Sequence, residues 1–362
     1  MATLMTWLAA TTVLGTGIAQ EPSVTWRGED HSIAELREEA ADAAMVADRW
    51  ATFVSETGYR LVLSDERRVL LVLSPTYAPK PKKEHREVGV MLDLVHRTRE
   101  AFDRFSGPVE KKGPPAVILC VKTDDFPVLL EHLGQMDSRA SDWVRAMGDR
   151  VAGFVMSQPL VGAWIQDPAG VDEWNPHNEL VHRVAQVLTR KEAPNLPEWL
   201  QVGLAWHVED AVQRSIYCFP HRAGFVTSGS HTDWGLWLAN HFKPSRRKSQ
   251  KMPPALQIEE FAHWAPRREA EFDCDKAYLA FGVARYLATQ HPTKMPDLWW
   301  RMTSAIEKNS KIWITDHEWR TDPEYQLPLE EQLQMLEAVE PGLLEKATKY
   351  FRKRRANRVS MK

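Results

Sequence analysis

Apolar residues recur at two different periods along this 362-residue chain, and the change from one to the other divides it. Over residues 32–56, Ile33, Leu36, Ala40, Ala44 and Ala47 fall at helical spacing behind Ser32, a good N-cap, which predicts one helix. Two β-rich runs follow, Tyr59 to Leu63 and Val69 to Leu73, joined by the polar tetrapeptide Ser64-Asp65-Glu66-Arg67, the pattern of a hairpin. Pro75 to Lys83 reads as a Pro- and Lys-rich loop. Beyond it Val88, Met91, Leu92, Val95 and Phe102 form the stripe of another helix. Ala116 to Val121 is continuously apolar, as a buried strand would be, and the segment after Asp125 reads as helical. Val151 to Met156 and Val161 to Ile165 are two short β-like runs separated by Ser157-Gln158-Pro159.

From Asn175 onward helices dominate. Asn175 can cap a helix whose first position is Pro176, where the missing N–H has no intrahelical partner to lose; this helix is expected to reach about Thr189. A second is expected from near Pro197 to Gln213, and others over 275–290, 294–307 and 328–355. Residues 243–254 read as a basic, Pro-containing surface loop. Mixed β structure in the first half and helices in the second predict an α+β fold, a mixed or antiparallel sheet packed on a mainly helical C-terminal half.

The first nineteen residues change the picture. Leu4 to Leu14 is mostly apolar, Gly17-Ile18-Ala19 offers small residues where a signal peptidase cuts, and the chain turns polar at Gln20. This predicts a signal peptide over 1–19 and an exported protein, periplasmic or extracellular, although no Lys or Arg precedes the apolar run; an N-terminal anchor helix is the alternative. No later run is long enough to span a bilayer. The remaining divisions expected are an N-terminal helical segment over 20–57, one domain over 58–350 and a basic tail over 351–362. A net charge of −3 gives no reason to expect nucleic acid as a partner. Of three cysteines, Cys120 reads as a small buried hydrophobe, while Cys218 and Cys274 are left either free or paired.

The informative stretch is Asn178-Glu179-Leu180-Val181-His182, followed by Pro197-Glu198-Trp199-Leu200-Gln201-Val202-Gly203-Leu204-Ala205. In H-E-x-x-H zinc peptidases two imidazoles one turn apart face the metal, the Glu beside them is general base, and a later helix supplies a third ligand. This chain resembles the gluzincin metallopeptidases, in particular the bacterial peptidase MA-like proteins, over roughly residues 58–350. Aligned on that pattern, Glu179 takes the general-base position, His182 the second imidazole, and Gly203-Leu204-Ala205 the G-L-A that follows the third ligand. Ala152-Gly153-Phe154 matches the family's edge-strand region, and Ala277 to Phe281 with Ala284 to Leu287 match the helix behind its site.

The departures are as specific as the match. Asn178 stands where the first His belongs and Val202 where the third-ligand Glu belongs, so one ligand of three survives. A carboxamide is a poor substitute for imidazole, and valine cannot ligate at all. The resemblance therefore implies a pseudoenzyme with no cofactor, and Glu179 a vestige. His177 is turned off the face of His182, but His207, one turn beyond Val202, is a candidate replacement ligand, so that a zinc hydrolase using Glu179, His182 and His207 is the alternative. Fifteen tryptophans against seven tyrosines make the chain tryptophan-rich, and Trp164, Trp174, Trp199, Trp206, Trp234, Trp237 and Trp264 all come from around the expected cleft. Trp199, Val202 and Trp206 share one helix face. The two rings are read either as core or as the lining of a cleft for a peptide or glycan. A third possibility for the whole protein is a structural one, with the cleft filled in. The basic run from Lys346 to Arg355 reads as a solvated face or as a contact for an anionic surface.

Overall fold

The computed structural model describes residues 22–74, 81–107, 113–138, 153–157, 159–166, 175–218, 233–243, 255–264, 273–315, 318–321 and 325–353. The expected signal peptide, Trp174, the basic loop beyond Lys243 and the tail beyond Lys353 lie outside them. The fold is α+β. Its centre is a seven-stranded mixed sheet of order β2-β1-β3-β4-β5-β7-β6, built from β1 (Ser23–Trp26), β2 (Glu29–Ser32), β3 (Arg60–Leu63), β4 (Val69–Leu73), β5 (Ala116–Lys122), β6 (Gly153–Ser157) and β7 (Leu160–Gln166). Pairs β1–β2, β3–β4 and β6–β7 are antiparallel, while β1–β3, β4–β5 and β5–β7 are parallel.

Helices cover both faces of this sheet, which is why its central strands are continuous apolar runs rather than alternating ones. Along β4, Val69, Leu71 and Leu73 belong to the core on one face, and Leu70 and Val72 to the core on the other. The second core is closed by α1 (Ile33–Glu39), α2 (Ala41–Thr57) and α4 (Phe126–Met136), through Leu36, Trp50, Phe53, Leu129 and Leu133. The first and larger core is closed by α3 (Pro81–Ser106), α5 (Pro176–Glu192) and α6 (Glu198–Gln213), with α7 (Trp234–His241), α8 (Cys274–Gln290), α9 (Met295–Asn309), α10 (Leu329–Val339) and α11 (Leu343–Lys353) around them. A separate hairpin pairs β8 (Lys311–Thr315) with β9 (Glu318–Thr321).

Several expectations are corrected here. The segment expected as helical over 20–57 is helical in α1 and α2 but also supplies two strands of the sheet ahead of them, and β1 pairs with β3 from Val24 opposite Leu61 to Trp26 opposite Leu63. The single helix expected over 32–56 breaks at Ala40, whose φ of −148° and ψ of 66° are not helical. Ser32 does cap its start, in a reciprocal box with Glu35. The helix expected over 328–355 is two, separated at Glu340-Pro341-Gly342, with Gly342 at φ +69°. Helix α3 begins inside the expected loop, at Pro81. Of the two alternatives left open for Cys218 and Cys274, the free one is found, as it is for Cys120. No helix of the described residues is long and apolar enough to cross a membrane.

The G-L-A run on α6 has a packing role. A Cβ added at Gly203 would lie 2.8 Å from the Ala280 carbonyl oxygen and 3.0 Å from Ala284 Cβ, both on α8. The glycine lets the two backbones approach. Gly203→Ala is expected to cost about 1–3 kcal/mol in urea unfolding, the scale of overpacking against groups that cannot move aside. A change within about 0.5 kcal/mol, as at a surface position, would mean that α6 and α8 are not this close.

Candidate functional site

The site is built on α5. Asn175 Oδ1 accepts from the backbone N–H of His177 and Asn178, satisfying two donors that a helix start leaves open. Once started, this helix is central: every residue from Asn178 to Thr189 is buried, between the β5–β7–β6 side of the sheet, α3 and α6. Its polar residues are therefore internal, and each must find partners inside the protein.

They find them in one connected cluster. Asn178 Nδ2 donates to Glu209 Oε1 at 2.7 Å and to the Ser215 carbonyl at 2.8 Å. His182 Nδ1 lies 3.0 Å from Glu209 Oε2. Glu209 Oε1 also accepts from the N–H of Tyr217 at 2.6 Å and of Cys218 at 3.2 Å. Arg183 Nη2 donates to Glu179 Oε2 at 3.0 Å, and its Nη1 to Gln186 Oε1 at 2.9 Å. The Cys218 thiol donates to the same Glu179 oxygen at 3.1 Å, and Trp206 Nε1 to the Cys218 carbonyl at 2.8 Å. Small residues on the sheet make room for Arg183: a Cβ on Gly153 would lie 2.6 Å from Nη2, and one on Gly162 would lie 3.3 Å from Arg183 Cβ.

Burial decides the protonation of the central pair. It pushes the Glu209 carboxyl well above the usual carboxylate range, and burial with the nearby Arg183 charge pulls the His182 imidazole well down. Against burial, three N–H donors converge on Oε1 and favour the carboxylate, while Oε2 and His182 Nδ1 lie at hydrogen-bond distance. Glu179 is also pushed up by burial, opposed by Arg183 and by the Cys218 thiol. Its Oε1 and the Asn178 Oδ1 are buried without a hydrogen-bond partner among the described residues. Burial raises the Cys218 thiol well above its ordinary range, so it is a donor rather than a nucleophile.

Asn178, Glu179 and His182 thus come together as the motif spacing requires. Three other residues expected at the site are placed differently. His207 is half-buried, with its ring 5.9 Å from Phe105 on α3, and burial with the Arg285 and Arg104 charges takes its pKa down to about 3. Five residues beyond Val202, it is rotated about 140° from that position at 100° per residue. Glu209, seven beyond, returns to within about 20° of it, and is the residue that reaches α5. Trp199 and Trp206 do not line an open cleft, because both are wholly buried. Trp199 donates to Gln332 and packs on Phe261, and Trp206 packs between Trp234 and Trp264 beside His182. Trp164, Trp234 and Trp264 are buried too, and Trp237 stacks with His241 and Tyr278. In the basic C-terminal run, Lys346 pairs with Glu340 and Lys349 with Glu345, and Arg352 donates to the Phe242 carbonyl.

These residues do not fit a zinc ion. Asn178 turns its amide nitrogen, a donor, toward the centre of the cluster, and buried Val202 has no lone pair to offer. Among the described residues no group of three or more His, Cys, Asp and Glu is placed to hold a metal. One contact has the form seen around metal sites. A ligating imidazole ordinarily bonds a carboxyl group through its other ring nitrogen, and His182 makes that contact with Glu209. No protein-family model matches the chain, and no curated protein is significantly similar to it.

Proposed function

We propose that this chain is an exported, non-catalytic protein of the gluzincin, peptidase MA-like type, whose metal site has become a structural hydrogen-bonded cluster and which acts by binding a peptide or glycan rather than by hydrolysis. The observation that carries this reading is the convergence of Asn178 and His182, the positions of the two imidazoles, on the carboxyl group of Glu209. The apolar run Leu4–Leu14 followed by Gly17-Ile18-Ala19 supports export. A hydrolytic use of Glu179 is disfavoured by its surroundings. Its one bonded oxygen is shared by Arg183 and Cys218, and the residue is 1% exposed, out of reach of a substrate carbonyl. The ligand is not gripped by Trp199 or Trp206, whose rings are internal.

Elemental analysis of protein purified from zinc-supplemented culture is the test. The expected content is far below one zinc per chain, and unchanged in His182→Ala protein that remains folded. One zinc per chain, lost in that variant, would overturn the reading.

A further inference from the structure

Immediately after α6 the chain reverses at Arg214, a left-handed residue with φ +64°, and its next four residues return across the α5–α6 pair. We propose that Ser215–Cys218 is a strap bound in cis by a cradle for peptide backbone, the cradle being made of the motif residues themselves, and that it closes the site by a local motion separate from unfolding of the domain.

Side chains recognise the main chain of the strap at four points. Asn178 donates to the Ser215 carbonyl, Glu209 accepts from the N–H of Tyr217 and of Cys218, and Trp206 donates to the Cys218 carbonyl. Acceptors and donors are thus both satisfied, as a bound peptide would require. Ile216 and Cys218 point inward and are buried, Ser215 and Tyr217 are half-buried, and the Cys218 thiol ends on Glu179. The strap itself forms no helix or strand. A segment of irregular backbone, held through side-chain bonds and apolar anchors with a reversal at one end, has the features of a unit that opens below the free energy of global unfolding. Lifting it would uncover Glu179, Asn178 and Glu209 together. This inference rests on the geometry of the cluster and stands apart from the family reading, since zinc content and strap opening are separate measurements.

The cysteines report it in the intact chain. Cys218 is the last residue of the strap with its thiol turned inward, Cys274 is half-buried at the start of α8, and Cys120 is wholly buried in β5. Pulsed N-ethylmaleimide labelling followed by peptide mass spectrometry ranks them. The expected order is Cys274, then Cys218 slower by about a hundredfold, then Cys120, which waits for global unfolding. Asn178→Ala should speed Cys218 by about tenfold, the worth of one hydrogen bond, with Cys120 still the slowest of the three. Trp206→Phe, which keeps an aromatic ring but removes the donor to the Cys218 carbonyl, should do the same, and it decides the matter if Asn178→Ala fails to fold. Cys218 reacting as fast as Cys274 in the wild type overturns the proposal, as does Cys218 reacting no faster than Cys120.

Discussion

Arg183→Met is expected to remove about 3–5 kcal/mol of stability, the cost of stranding one partner of a buried ion pair, which is a large part of the roughly 5–15 kcal/mol that holds a typical domain folded. The guanidinium is 2% exposed and bonds both Glu179 and Gln186. Methionine fills much of its volume but leaves the Glu179 carboxylate in an apolar interior with only the Cys218 thiol to answer it. The loss comes from that uncompensated charge rather than from a cavity, so Arg183→Met with Glu179→Gln should recover part of it. Urea unfolding of the two single variants and the double variant measures the coupling. Strictly additive losses would show that Arg183 and Glu179 do not act as a pair.

Trp206→Ala is expected to cost a similar amount, about 3–5 kcal/mol, because the indole is a wholly buried large side chain. Its ring centroid lies 5.2 Å from Trp234 and 6.2 Å from Trp264, contacts that alanine cannot make. The truncation also leaves the Cys218 carbonyl without the indole donor. A groove-lining ring would behave differently, since its removal changes ligand binding and leaves stability within about 0.5 kcal/mol. Chemical denaturation distinguishes the two, and a loss of that small size would return Trp206 to the surface.

Much of the frame could be read from local chemistry. The β3–β4 hairpin, the cap at Ser32 and the start of α5 at Asn175-Pro176 all carry signals that act within a few residues. β1 and β2 carry none. Glu29-Asp30-His31 is polar, and these residues are a strand because they pair with Val24 to Trp26 at the edge of the sheet. The break at Ala40 is likewise set by tertiary packing, since alanine favours continuing a helix. The division at Glu340-Pro341-Gly342 was signalled by its Pro-Gly pair and passed over. In the site, Asn178, Glu179 and His182 were singled out by the resemblance to the H-E-x-x-H pattern, and Glu209, which lies outside that pattern, was missed. A signal existed: Trp199, Val202, Trp206 and Glu209 fall on one stripe of α6, and a carboxyl group on an otherwise apolar stripe demands a buried partner. Arg183 was hidden differently. A helix buried on all sides has no polar face on which to expect it.

The cluster between α5 and α6 also acts as a register key. Apolar rows on two helices interlock in several nearly equivalent ways, and a slip of one turn, about 5.4 Å, exchanges one hydrophobic contact for another. Glu209 has no such second choice. A one-turn slip would carry it beyond hydrogen-bond reach of both Asn178 and His182, and would pull the Tyr217 and Cys218 amides from their acceptor. A misaligned packing thus buries several further polar groups unpaired, whereas the native one gives both Glu209 oxygens their partners. These buried polar residues thereby disfavour wrong alignments of the two helices that form the centre of the larger core.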